Sequence, residues 1–196
     1  YASETPADAA VKVNGVDAVE NSSNNTFQVT LAGLTSGPLV LTATATDAAG
    51  NTSSPATAVS GTVDLIAPGA PVITGPAEGF LVNTTSLLVT GTYAPDVVAV
   101  KVNNVDAVET SGTFEVTLTG LTPGALVLTA TATDAAGNTS SPSTAVSGTV
   151  DLIAPDAPVI TSPSNGFLIN TSSLLVTGTY ASETPADAAV KVNGVD

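Results

Sequence analysis

Between residues 64 and 150, short apolar stretches alternate with clusters of Gly, Pro, Asn and Ser, the punctuation of an all-β chain. Inside those stretches the apolar residues recur at every second position, which puts them on one face of a pleated strand. Val98, Val100 and Val102 fall on one face with Ala99 and Lys101 on the other, and Phe114, Val116 and Leu118 oppose Glu115 and Thr117. In the run LVLTATATD, Leu126, Leu128, Ala130 and Ala132 form the inward series; Val127, Thr129, Thr131 and Thr133 suit an outward pleated face. The pattern predicts seven strands, near 71–75, 86–93, 97–103, 107–110, 113–120, 125–134 and 144–150. No apolar pattern keeps a 3.6-residue period over ten residues, so helices are not expected.

The pattern repeats. TVDLIAP begins at Thr62 and at Thr149, an offset of 87 residues, and LTATATDAAGNTSSP recurs at that offset from Leu41 and Leu128. Residues 1–17 return unchanged as residues 180–196. The chain therefore reads as three copies: a partial repeat at 1–63 lacking its first strands, a complete repeat at 64–150, and a partial repeat at 151–196 with first strands only. Both ends fall inside copies and Tyr1 is no initiating methionine, so the expectation is a window on a longer polymeric array. Differences in spacing between copies, such as Lys12 to Phe27 against Lys101 to Phe114, are loop changes that surfaces tolerate.

Composition narrows the chemistry. Seventeen acids face three bases, Lys12, Lys101 and Lys191, and the net charge of −14 repels nucleic acid and anionic membrane surfaces while favouring cations. Cys, Met, His and Trp are absent, which removes disulfides, thiol nucleophiles, imidazole bases and the usual zinc or copper ligands. With no Arg either, and no acids peculiar to one copy, catalysis is not expected. No apolar run approaches the roughly 20 residues that span a bilayer, so membrane insertion is not expected.

The sequence DLIAPGAPVI, followed by LLVTGTY, VKVN, LTGLTPGALVLTATATDAAGNTS and a closing TVD, resembles the bacterial immunoglobulin-like repeats of giant surface adhesins and biofilm-associated proteins. The likeness covers essentially the whole chain. It implies tandem seven-stranded, antiparallel, Greek-key β-sandwiches, although the cysteine pair and buried tryptophan of antibody-type domains are missing.

In such a sandwich the turn 134–138, the leading segment 64–68 and the loop 94–96 are expected at one pole, beside the turn of the preceding copy that carries Asn14 and Asp17. Carboxylates, amide oxygens and carbonyls are the ligands Ca²⁺ takes, so interdomain calcium is the expectation. The resemblance matches this role to Asp64 and Asp151 in the linkers and to Asp47, Asn51, Asp134 and Asn138 in the turns. Asp17, Asp96, Asp106, Glu183 and Asp187 are added on geometry alone. The alternative is that D-x-x-G-N is a tight turn in which Asp and Asn bond their own backbone and Gly supplies φ > 0, with the linker acids simply exposed. The spacing of an EF-hand is missing.

Three functions follow as expectations. The first is a stalk or spacer in an extracellular adhesin or fibre at the bacterial cell surface, projecting a binding tip, with neighbouring repeats as partners and calcium stiffening the seams. The second is a self-assembling filament or biofilm-matrix subunit, joined to other copies by strand pairing between chains. The third is a carbohydrate- or partner-binding module, which needs an aromatic platform that four Phe and three Tyr scarcely supply.

Overall fold

Alternation of β-branched and apolar residues with turn clusters yields strands throughout: the computed structural model describes residues 10–21, 23–181 and 190–193, and among them there are strands and no helix. The first copy supplies β1 (Ala10–Val13), β2 (Val16–Asp17), β3 (Val19–Asn21), β4 (Thr26–Gln28), β5 (Gly37–Leu41), β6 (Ala43–Thr46) and β7 (Val59–Val63). The second supplies β8 (Val72–Gly75), β9 (Phe80–Val82), β10 (Ser86–Thr92), β11 (Val97–Val102), β12 (Val105–Asp106), β13 (Val108–Thr110), β14 (Thr113–Thr119), β15 (Gly124–Leu128), β16 (Ala130–Asp134) and β17 (Val146–Val150). The third holds β18 (Val159–Ser162) and β19 (Thr177–Thr179).

The described residues fall into two compact units that cut across the sequence repeat. The first unit lies within 1–77, 88–117 and 128–146. It contains the sheets β2-β1-β6 and β12-β11-β16, the pairs β3-β4 and β5-β7, and most of β13-β14-β10-β8. Its buried apolar side chains are Val13, Val89, Val97, Val100, Val102, Phe114, Val116, Leu128, Ala130 and Ala132. Burying a residue such as Phe114 or Leu128 contributes roughly 1.5–3 kcal/mol. Gly91 lets β10 approach closely, because a Cβ there would overlap the Phe114 ring and the Val72 carbonyl. The second unit lies within 78–87, 118–127 and 147–196 and contains β15-β17-β9 and β18-β19. There Gly148 leaves the space that the Phe80 ring fills.

The second copy has ten strands where the alternation predicts seven. The run 125–134 is cut at Thr129, whose N–H donates to the Asn103 side chain (3.0 Å) and whose carbonyl accepts the Asn103 N–H (3.0 Å). Asn103 takes φ 46°, a left-handed geometry that Asn tolerates. β12 is the short return of the hairpin from β11. β9 is only three residues long and runs parallel to β17, pairing Phe80 with Gly148, while pairs such as β1–β6, β5–β7, β8–β10, β11–β16 and β13–β14 are antiparallel.

One side chain points opposite to the expected face. The β11–β16 register runs Val97↔Asp134 and then Ala99↔Thr133, so a bulge at Val98 resets the alternation. Val97 is buried and Val98 is 58% exposed, correcting the inward placement of Val98.

Candidate functional site

The D-A-A-G-N segment folds as a turn closed by its own side chains. The Asp134 N–H donates to the Asn138 carbonyl (3.1 Å) and the Gly137 N–H to the Asp134 carbonyl (3.2 Å), with Gly137 at φ 93°. The carboxylate then serves the same turn: Oδ1 accepts the Ala136 and Asn138 N–H groups (2.9 and 2.8 Å), and Oδ2 accepts the Asn138 Nδ2 (2.8 Å). Asp134 is only 5% exposed. The Asn138 amide is the main cause that holds its carboxyl below the ordinary value of 3.8; burial pushes the other way, and backbone N–H groups of 136–138 add to the lowering.

Asn138 also reaches out of the turn. Its Nδ2 donates to the Asp64 carbonyl at 3.1 Å, joining residues 74 apart in sequence. Immediately downstream, the Leu65 N–H donates to Ser36 Oγ (3.0 Å), and Pro68 is buried. The linker between the first and second copies is therefore held from both sides, by Ser36 behind it and Asn138 ahead. Its acid turns inward on its own backbone, since Asp64 Oδ1 accepts the Ile66 N–H (3.0 Å). Asp151 repeats this with Ile153 (3.0 Å), although Pro123 stands where Ser36 stands in the first copy.

The Asp47–Asn51 turn of the first copy reproduces the closed geometry: Oδ1 accepts Ala49 and Asn51 N–H (3.0 and 2.8 Å) and Oδ2 accepts Asn51 Nδ2 (2.8 Å). Its carboxyl is lowered for the same reason, the Asn51 side chain first.

The other expected residues are more scattered. Val97 pairs with Asp134, so the loop carrying Asp96 shares a sheet end with the turn, and Asp96 is exposed. Asp17 and Asp106 form ion pairs with Lys12 and Lys101 across the β1–β2 and β11–β12 hairpins. Glu183 and Asp187 lie outside the described residues. Among the described residues no three acidic side chains gather as a cation site needs. At the seam Asn138 offers N–H rather than oxygen to Asp64. As arranged, Asp47, Asp64, Asp134 and Asp151 each give a carboxylate oxygen to backbone N–H groups of their own segments.

Sequence reasoning missed the serines after the turn. Segment 139–143 is not a strand, yet it lines the edge of β16: Ser140 N–H and Ser143 N–H donate to the Ala132 and Ala130 carbonyls (2.9 and 2.7 Å). Their hydroxyls accept the Ala132 and Ala130 N–H groups, each at 3.0 Å. Both serines are buried and fully partnered. The signal was the S-S-P-S following the turn, with proline excluding a regular ladder.

No protein-family model matches the chain, and no curated protein matches it. Among solved structures it is similar to the fibronectin(III)-like modules of Clostridium thermocellum CbhA, with 16% identity, 76% of this chain and 80% of that chain covered, and a TM-score of 0.45. It is also similar to SGBP-B of the Bacteroides ovatus mixed-linkage glucan utilization locus in complex with a mixed-linkage heptasaccharide, with 15% identity, 82% and 41% covered, and a TM-score of 0.26. Its own sheets and self-identity define the class: a tandem all-β repeat protein.

Proposed function

We propose that the chain is a run of non-catalytic spacer modules from an extracellular bacterial adhesin or fibre. The observation that carries this reading is the linker at 64–68, fixed by Ser36 Oγ at Leu65 and by Asn138 at the Asp64 carbonyl. A linker ordered on both flanks transmits orientation from one repeat to the next; one left to solvent acts as a tether. Repetition with near identity suits a part whose contribution grows with copy number. Calcium enters this reading as an addition to the hydrogen-bonded seam, recruited by the exposed linker acids Asp64 and Asp151.

Small-angle scattering tests the reading. The wild-type chain is expected to scatter as a particle of low flexibility. Asn138→Ala loses one bond to the linker and one to Asp134, and is expected to become more flexible and about 1–3 kcal/mol less stable. Equal flexibility in wild type and Asn138→Ala removes the seam from the account. Identical melting in millimolar calcium and in chelator removes the ion alone.

A further inference from the structure

The first and second copies differ at the tip of one hairpin. After Lys12 the first reads Val13-Asn14-Gly15-Val16; after Lys101 the second reads Val102-Asn103-Asn104-Val105. Both tips are two-residue turns, closed by the pairs Val13↔Val16 and Val102↔Val105. Both central residues take positive φ, 47° and 83° at Asn14 and Gly15, 46° and 67° at Asn103 and Asn104, as this kind of hairpin requires. Asn14 does more than turn the chain. Its N–H donates to the Thr42 carbonyl (3.0 Å), its Oδ1 accepts the Thr42 N–H (2.9 Å), and its Nδ2 donates to the Val40 carbonyl (2.8 Å). The carboxamide thus bridges the break between β5 and β6, bonding there as a strand residue would.

Asparagine followed by glycine is also a pair that reacts with itself. The Gly15 nitrogen attacks Asn14 Cγ; the new N–C bond closes a cyclic imide, the Cγ–Nδ2 bond breaks, and Nδ2 leaves as ammonia with the proton given up by Gly15. Water then opens the imide at either carbonyl, leaving an aspartate or its β-linked isomer at position 14. Water is the sole co-reactant. A Cβ at Gly15 would meet nothing within 4 Å, so its nitrogen is open to attack, whereas Asn104 carries a side chain that crowds the same nitrogen. The fold opposes the reaction, because the carboxamide must leave Thr42 and Val40 before it turns onto Gly15.

We propose that Asn14-Gly15 is a self-modification site, held back by the bonds to Val40 and Thr42 and, once converted, unable to remake them. An aspartate at this position has no N–H to donate. One of its oxygens would face the Val40 carbonyl, and two acceptors in contact repel, so the side chain swings out and the Thr42 N–H loses its partner. The β-linked isomer also adds a carbon to the backbone of a turn that fixes the hairpin register. Conversion therefore releases the β1–β2 tip from the break at Thr42. The same reaction is slower at Asn103-Asn104, so the two repeat variants differ in chemical lifetime: one ages and the other keeps its stitch. The inference goes beyond the spacer reading and does not depend on the linker seam.

Peptide-resolved mass spectrometry of the 196-residue chain, incubated at mildly basic pH in heavy-oxygen water, tests it, with the other Asn-Gly pairs at 165–166 and 193–194 read as separate peptides. Position 14 is expected to convert in urea, and to convert at least about tenfold more slowly in the folded chain, because two hydrogen bonds must open first. Gly15→Asn gives the turn its second-copy sequence and is expected to slow conversion at position 14 in urea and in the folded chain alike. Asn14→Asp reproduces one product, and is expected to speed hydrogen exchange at the amides of residues 14 and 42 while the Thr129 amide, bonded to Asn103 in the second copy, exchanges as in wild type. No conversion at position 14 in urea, equal rates in urea and in the folded chain, a Gly15→Asn chain that converts as fast as wild type, or wild-type exchange at residues 14 and 42 in Asn14→Asp overturns the proposal.

Discussion

Phe27 and Phe114 hold the same place in two copies of one repeat, yet Phe114 is 2% exposed and Phe27 is 48% exposed. The sequence around them does not account for the difference, since both follow a hairpin turn with a polar residue on either side. β14 has β13 on one side and β10 on the other, whereas among the described residues β4 pairs with β3 alone. The same contrast runs through Leu128 and Leu41, Ala130 and Ala43, and Ala132 and Ala45, each buried in the second copy and half-buried in the first. Alternation decides which face a residue takes; strands distant in sequence decide whether that face is covered.

The strongest way to break this comparison is to truncate both rings. Phe114→Ala removes a side chain enclosed by its own copy and is expected to cost about 3–5 kcal/mol. Phe27→Ala removes one half in solvent and is expected to cost at most about 1 kcal/mol. Urea unfolding, with hydrogen exchange read separately at the β14 and β4 amides, measures both. Equal costs would mean that the first copy has a cover equivalent to β10.

The glycine pair sharpens it from the other direction. A Cβ at Gly148 meets the Phe80 ring and carbonyl, so Gly148→Ala is expected to destabilise β17 by about 1–3 kcal/mol through overpacking. Gly61 has nothing within 4 Å, so Gly61→Ala is expected to stay within about 0.5 kcal/mol of wild type. Thermal melts of the two variants side by side decide the point.

These contrasts also mark what the sequence makes legible. The segments predicted from alternation all contain strands, and of the inward series Phe114, Val116, Leu118, Leu128, Ala130 and Ala132 are buried and Leu126 half-buried, because a period of two has one geometric meaning. Val98 was misplaced because a bulge adds a residue without altering composition. β9 went unseen because three residues, Phe80 to Val82, are too few to show a period, and a parallel partner 68 residues away leaves no local turn signal. At the site, D-x-x-G-N announced a turn, but residue type does not disclose where carboxylate oxygens point. In this acid-rich chain many are spent on backbone N–H groups: Glu20 and Glu109 accept from Val11 and Val100 (2.7 and 2.6 Å), and Glu78 accepts from Ser147 (2.8 Å).

The finest test compares the two turns, which share their internal bonds and differ in the extra bond from Asn138 to Asp64. Both Asp47 and Asp134 have a carboxyl lowered in the folded chain, so each stabilises it above the unfolded value of about 3.9. That contribution is lost as pH falls through the lowered folded value. Wild-type melting temperature is therefore expected to hold from pH ~7 to just above ~4 and to decline below it. Asp134→Asn keeps an oxygen for the N–H groups of Ala136 and Asn138 but sets its own NH₂ against Asn138 Nδ2, so the side chain that anchors the linker loses its support. This variant is expected to melt lower at neutral pH and to show a flatter acid decline. Asp47→Asn should move both features less, because no bond from Asn51 to a linker depends on it among the described residues. Identical pH profiles for the two variants would show that the Asn138 bond to Asp64 adds nothing to the turn that carries it.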